Sequence, residues 1–221
     1  MQNKKKRLIE IIHMLHRATK GMTEPAVTQI INKYGQDPFL VFISCLLSLR
    51  TKDTVSLPAS YRLFSVAQTP QELLQISVNH LEKIIYPVAF YRKRAEQLHI
   101  VCKDLIERFD GKVPSDEKDL LFFKGVGRKT MNLVRGEGFG IPAICVDTHV
   151  HRISNRLGLV TTKTPHETEI ALQELLPKKY WIEYNRLLVM WGQNICVPIS
   201  PFCSRCAIAN LCEKVNVKKS R

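Results

Sequence analysis

The chain has 221 residues, 45% of them hydrophobic, enough to bury a core in one large or two small domains and too many for a disordered tail. Lys and Arg number 33 against 20 Asp and Glu, a formal charge of +13. That surplus points to an anionic partner, with nucleic acid ahead of an anionic membrane, and no apolar run is long enough to span a bilayer.

The opening segment, MQNKKKRLIEIIHMLHR, sets Leu8, Ile11, Ile12 and Leu15 on one stripe and predicts an amphipathic helix. It lacks the apolar run and cleavage site of a secretory signal, and Glu10 together with the regular apolar face argues against a transit segment. Next, Asp37-Pro38 reads as a helix start and PFLVFISCLLSL (38–49) as a buried core helix. Thr69-Pro70-Gln71-Glu72 and Thr164-Pro165-His166-Glu167 each place a capping side chain before proline, with a glutamate set to complete a capping box. Leu98, Val101, Cys102, Leu105 and Ile106 recur at helical spacing, and Pro114-Ser115-Asp116 marks a further start. No run alternates like a strand. The expectation is an all-α chain of roughly ten helices joined by short turns.

The stretch KGVGRKT (124–130) follows a helical segment, Ser115 to Phe123, and opens another. Helix, tight glycine turn, helix is the pattern of a helix-hairpin-helix. Its glycines let the backbone turn sharply and approach another chain, and amides at the second helix's start can hold a phosphate. A plain helix connection is the competing reading. Further on, VDTHVHRISNRLGL places Asp147 before a helix with an apolar stripe at Val150, Ile153 and Leu157. Asp147 can serve as the N-cap, and a carboxylate held there stays ionised, which suits it to stabilising a developing positive charge. His149 and His151 read as polar residues of the first turn.

Of seven cysteines, Cys196, Cys203, Cys206 and Cys212 crowd the C-terminal region as C-x6-C-x2-C-x5-C. Four thiolates so close in sequence can wrap a tetrahedral zinc or an iron–sulfur cluster, with two disulfides as the structural alternative. Cys45, Cys102 and Cys145 lie in apolar stretches, as core thiols do.

Together, KGVGRKT, the following VDTH and the cysteine spacing resemble the endonuclease III family of DNA glycosylases and abasic-site lyases. LLSLRTKD (46–53), AFYRKRA (89–95) and DGKVPSD before the hairpin are similar to family segments as well. The resemblance implies two helical domains flanking a DNA-binding cleft: a helical barrel with the hairpin at 31–141, and a discontinuous domain of 1–30 and 142–221 carrying a [4Fe-4S] cluster on the four cysteines. It implies base-excision repair by a bifunctional enzyme that removes oxidised pyrimidines and then cuts the abasic site by β-elimination.

By that resemblance Lys129 is the nucleophile that forms the Schiff base, eased out of its protonated form by burial, by Arg128 and by the positive helix end. Asp147 assists. Arg50, Phe90, Gly125, Val126, Gly127, Arg128, Thr130 and Arg205 are expected at the DNA. Arg50 stands where the family has an inserting glutamine, Phe90 where leucine is frequent, Ala89 where glycine is common, Lys124 for proline and Met131 for alanine. The implied partner is duplex DNA bearing damaged bases or abasic sites, acted on by a monomer without a membrane, in the nucleoid-associated cytoplasm if the source is prokaryotic. A monofunctional mismatch or uracil glycosylase, or a non-catalytic iron–sulfur DNA-binding protein, would share the scaffold.

Overall fold

The computed structural model describes residues 2–221. Among them the regular structure is twelve α-helices, one π-helix and three 3-10 turns, with no strand. The chain begins with α1 (Gln2–Ala18), whose Leu8, Ile11, Ile12 and Leu15 are all buried, as their spacing predicts. It divides into two compact units, one of residues 25–141 and the other of 1–24 with 142–221. The first boundary lies ahead of the expected 31. Residue 31 falls inside α2 (Ala26–Tyr34), and Val27 and Ile30 of that helix belong to the core of the contiguous unit.

The contiguous unit continues with α3 (Pro38–Leu47), α4 (Asp53–Phe64), α5 (Pro70–Gln75), α6 (Val78–Ile85) and α7 (Tyr91–Phe109). It closes with α8 (Glu117–Phe122), α9 (Arg128–Leu133) and a π-helix at Val134–Gly138. Helix α3 is apolar on all sides and buried from Phe39 to Leu47, so α2, α4, α7, α9 and the π-helix pack around it. Each fully buried Leu, Ile or Phe there contributes roughly 1.5–3 kcal/mol. Asp37 starts α3 by accepting the amides of Phe39 and Leu40 at 2.8 and 2.9 Å. Thr69 and Glu72 form the expected capping box on α5. AFYRKRA turns helical at Tyr91, so only Ala89 and Phe90 remain in the connection.

The other unit adds α10 (Thr148–Arg156), α11 (Pro165–Leu175) and α12 (Trp181–Asn194), with 3-10 turns at Lys178–Tyr180, Cys203–Arg205 and Ala209–Leu211. The stripe of α1 packs on α12, and Val150, Ile153 and Leu157 join the same core. Thr164 caps α11 by accepting the Glu167 amide at 3.2 Å, while Glu167 reaches back to the Lys163 amide at 2.9 Å. Arg7, from the basic KKKR run, pairs with Glu213 at 2.7 Å and donates to the carbonyl of Leu157 at 3.1 Å.

Candidate functional site

The glycine hairpin is built by α8, the turn at 124–127 and α9. Asp116 caps α8 by accepting the Lys118 amide at 2.8 Å. Gly125 has φ +86°, a left-handed conformation, and a Cβ there would collide with the side-chain amide of Gln97. That amide donates to the carbonyl of Lys124, so close approach and positive φ both demand glycine. Gly127 precedes α9 and brings no capping side chain to it.

The expected DNA residues of the hairpin separate into two sets. Gly125, Gly127, Arg128 and Lys129 are exposed, whereas Val126 (8% exposed) and Thr130 (3%) point into the core. The inward pair packs into the core, so any contact with DNA at these two positions runs through the main chain and not the side chains. Lys129 is exposed rather than buried, which corrects the expectation for it. Of the influences expected on it, Arg128 and the N-terminal end of α9 are retained. Its ammonium also acts on the Cys45 thiol of α3. Burial pushes that thiol up to about 12, Lys129 opposes the rise and Glu137 of the π-helix adds to it. Sequence reasoning missed Glu137. The close seat of the π-helix on α3, where a Cβ on Gly138 would meet Pro38 Cα at 3.3 Å, explains its position.

Arg50 and Phe90 both adopt left-handed backbone, at φ +59° and +57°, and Phe90 is 61% exposed. Non-glycine residues hold that conformation only where the surroundings impose it. Here a polar relay imposes it. The Ala89 amide donates to Thr51 Oγ1 at 3.1 Å. Arg94, 8% exposed, donates to the carbonyl of Leu49 at 3.3 Å and to Gln97, which continues to Lys124. One buried guanidinium thus ties the Arg50 turn to the hairpin, while Thr51, next to Arg50, holds the Phe90 turn. Its sequence signal is a polar pair, Arg94 and Gln97, beside the apolar positions Ala95, Leu98, Val101 and Cys102 of α7.

In the other unit, Asp147 is the N-cap of α10. Its Oδ1 accepts the amides of His149 and Val150, both at 2.8 Å. Both amides converge on one oxygen, which fixes the carboxylate at the helix start. His151 Nδ1 contacts Thr168 Oγ1 at 2.7 Å, a structural network as expected. Arg152, overlooked in the sequence, lies one turn beyond His149. It donates to His149 Nδ1 at 3.1 Å, to the carbonyl of Gly192 at 3.2 Å and to that of Cys196 at 2.8 Å. Burial lowers its pKa, and the charges of Cys196 and Asp147 work against that fall. Arg156 holds the carbonyls of Val197 and Pro198 at 2.8 and 2.6 Å and reaches Cys196 Sγ at 3.4 Å.

Cys196, Cys203, Cys206 and Cys212 are free thiols, partly buried, and line one cavity with Ile153, Trp191, Ile208 and Val217 among its walls. The cavity offers about 30 Å³ to the centre of a water-sized sphere, where one water needs about 10–15 Å³. Among the described residues, no three His, Cys, Asp or Glu side chains close on a single ion. Four thiols around a space wider than one ion suit a polynuclear centre better than tetrahedral zinc, with its sulfurs about 2.3 Å from the metal. The buried Trp191 Nε1 lies beside the Cys206 thiol, whose pKa burial raises and the indole N–H tends to lower. An N–H so placed suits a cluster-bound thiolate.

The profile of the HhH-GPD superfamily of base excision DNA repair proteins matches residues 43–178. A Thermotoga maritima protein named endonuclease III is 44% identical over 197 residues, covering 87% of this chain and 92% of its own. The chain belongs to the endonuclease III family. Among solved structures, a non-covalent endonuclease III–DNA complex matches with a TM-score of 0.83 at 30% identity, covering 95% of each chain. A trapped endonuclease III–DNA covalent intermediate matches at 0.82 and 30% identity, covering 95% of this chain and 96% of that one. Among the described residues the regular structure is all helical, which matches the endonuclease III fold.

Proposed function

We propose that this member of the endonuclease III family is a bifunctional DNA glycosylase and abasic-site lyase of base-excision repair. It takes duplex DNA with an oxidised pyrimidine as substrate and acts as a monomer in the nucleoid-associated cytoplasm. The observation that carries the reading is Lys129, exposed on the first turn after the glycine hairpin in a chain of this family. An amine there is open to the sugar of a nucleotide swung out of the stack.

The chemistry runs in two stages. The neutral Lys129 amine attacks C1′, a C–N bond forms, and the bond from C1′ to the base breaks with the base leaving protonated. The C1′–O4′ bond then opens, O4′ gaining a proton, to give the iminium. Loss of a C2′ proton breaks the bond from C3′ to its phosphate oxygen, which cuts the strand. Asp147, its carboxylate oriented by two amides, stabilises positive charge on the sugar and carries protons. Arg50, Phe90, Gly125, Gly127, Arg128 and Arg205 meet the DNA.

Cys196, Cys203, Cys206 and Cys212 would hold a [4Fe-4S] cluster, which supplies structural organisation when bound. The fit of the four thiols to one cavity and the donor at Trp191 support that assignment. Borohydride trapping on a duplex carrying thymine glycol tests the whole reading. A covalent adduct should form with the wild-type protein and vanish in Lys129→Ala while that variant still binds DNA. Base release without any adduct would move the monofunctional reading ahead.

A further inference from the structure

The loop between the first two cysteines, VPISPF (197–202), carries no charge, and its Ile199 is 85% exposed. Arg205 lies between the second and third cysteines, and further cations follow the last one, at Lys214, Lys218, Lys219 and Arg221. This segment bends back through left-handed residues Lys214 (φ 54°) and Asn216 (φ 59°), and the Val215 amide donates to the carbonyl of Arg156 at 3.0 Å. Val217 then lines the cysteine cavity.

Arg221 lies on the uncharged loop. Its amide donates to the carbonyl of Pro201 at 2.8 Å and its own carbonyl accepts the Ser204 amide at 3.0 Å, two main-chain bonds that pin it to the loop. Its Nε donates to the carbonyl of Ser200 at 3.0 Å. The guanidinium sits 3.9 Å from the centre of the Phe202 ring, and the guanidinium of Arg205 sits 5.1 Å from the same ring. A solvated basic run would spread its charges apart. Here main-chain bonds and one phenyl ring hold two planar cations against the same ring, and a guanidinium carries the donor fork that matches phosphate.

We propose that Arg205 and Arg221, gathered on Phe202, form a binding site for one phosphate of the DNA backbone, and that the strap 214–221 supplies the cations its cysteine loop lacks. The inference rests on the repair reading for the identity of the polyanion. A phosphate between the two forks relieves their mutual repulsion and releases its counterions.

The test is the salt dependence of binding by the cluster-loaded protein to an undamaged duplex, with iron content measured for every variant. Arg205→Gln with Arg221→Gln should weaken binding several-fold and lower the slope of log K against log salt by about 0.9, the contribution of one phosphate. Arg221→Lys should recover most of the slope, and Lys103→Gln should leave it at the wild-type value. A double variant with full iron and a wild-type slope overturns the site. If the double variant loses iron, Arg205→Gln alone decides, since that side chain makes no main-chain pairing with the strap: a slope at the wild-type value overturns the site and a lowered one supports it. Wild-type protein that fails to bind duplex at all would instead remove the repair reading.

Discussion

The guanidinium of Arg94 lies 3.3 Å from the carbonyl oxygen of Leu49, the residue that precedes the left-handed Arg50. Replacing this buried cation by methionine strips the Leu49 carbonyl and the Gln97 amide of a partner at once. Arg94→Met should therefore cost about 1–3 kcal/mol of stability. It should also lower kcat/KM on a lesion duplex about tenfold, a loss of roughly 1.4 kcal/mol in the transition state, with affinity for undamaged duplex within about twofold. Urea unfolding and single-turnover kinetics measure both. A variant that loses stability yet keeps kcat/KM would make Arg94 a structural tie alone.

The two hairpin glycines should respond differently to alanine. At Gly125, with φ +86°, a side chain is strained and strikes Gln97, so Gly125→Ala should cost roughly 1–2 kcal/mol in the free protein. Nothing lies within 4 Å of a Cβ on Gly127, whose φ of −106° suits any residue. Gly127→Ala should leave the melting temperature unchanged and still weaken DNA binding, because the added methyl keeps the backbone from the phosphate. Equal binding by Gly127→Ala and wild type would show that DNA does not approach there.

At Asp147 the cap and the charge can be separated. Asparagine keeps an acceptor for the His149 and Val150 amides, so Asp147→Asn should change stability by a few tenths of a kcal/mol and Asp147→Ala by about 1 kcal/mol. Both should slow base release by about 100-fold or more, since both lack the carboxylate. Near-normal release by Asp147→Asn would reduce this residue to a cap.

Stability should fall in alkali. Burial pushes the Cys45 and Cys102 thiols up to about 12 from an ordinary 9.0. The unfolded chain sheds these protons first, so the stabilisation is complete below pH 9 and is lost as pH climbs from 9 towards 12. The expected slope is about 1.4 kcal/mol per pH unit for each thiol. Urea unfolding between pH 8 and 10.5 should show a shallower decline in Cys102→Ala than in wild type. Matching declines would mean that Cys102 does not titrate differently on unfolding.

Local chemistry made the caps legible. Asp37, Thr69, Thr164 and Asp147 start their helices as read, because a short acceptor one residue before a helix has one thing to bond. What escaped depends on packing. Val126 and Thr130 turn inward because α9 lies against α3, a contact no spacing announces. Lys129 is open for the same reason, on the opposite side of its turn. Arg94 was hidden by its charge, since an arginine in a basic run reads as solvated. The π-helix at Val134–Gly138 sits on α3, with Gly138 close against Pro38, and glycines in sequence suggest only flexibility.

The discontinuous unit has a consequence for biosynthesis. Helix α1 is translated well before α12, yet its Leu8, Ile11, Ile12 and Leu15 bury themselves in one core with that helix. The contiguous residues 25–141 hold a core of their own and can condense in the meantime. Throughout that interval the apolar stripe of the nascent N-terminal helix waits without its partner, shielded only by its flanking lysines. The four cysteines all follow α12 in the chain, so metal loading on all four comes after α1 and α12 have both been translated.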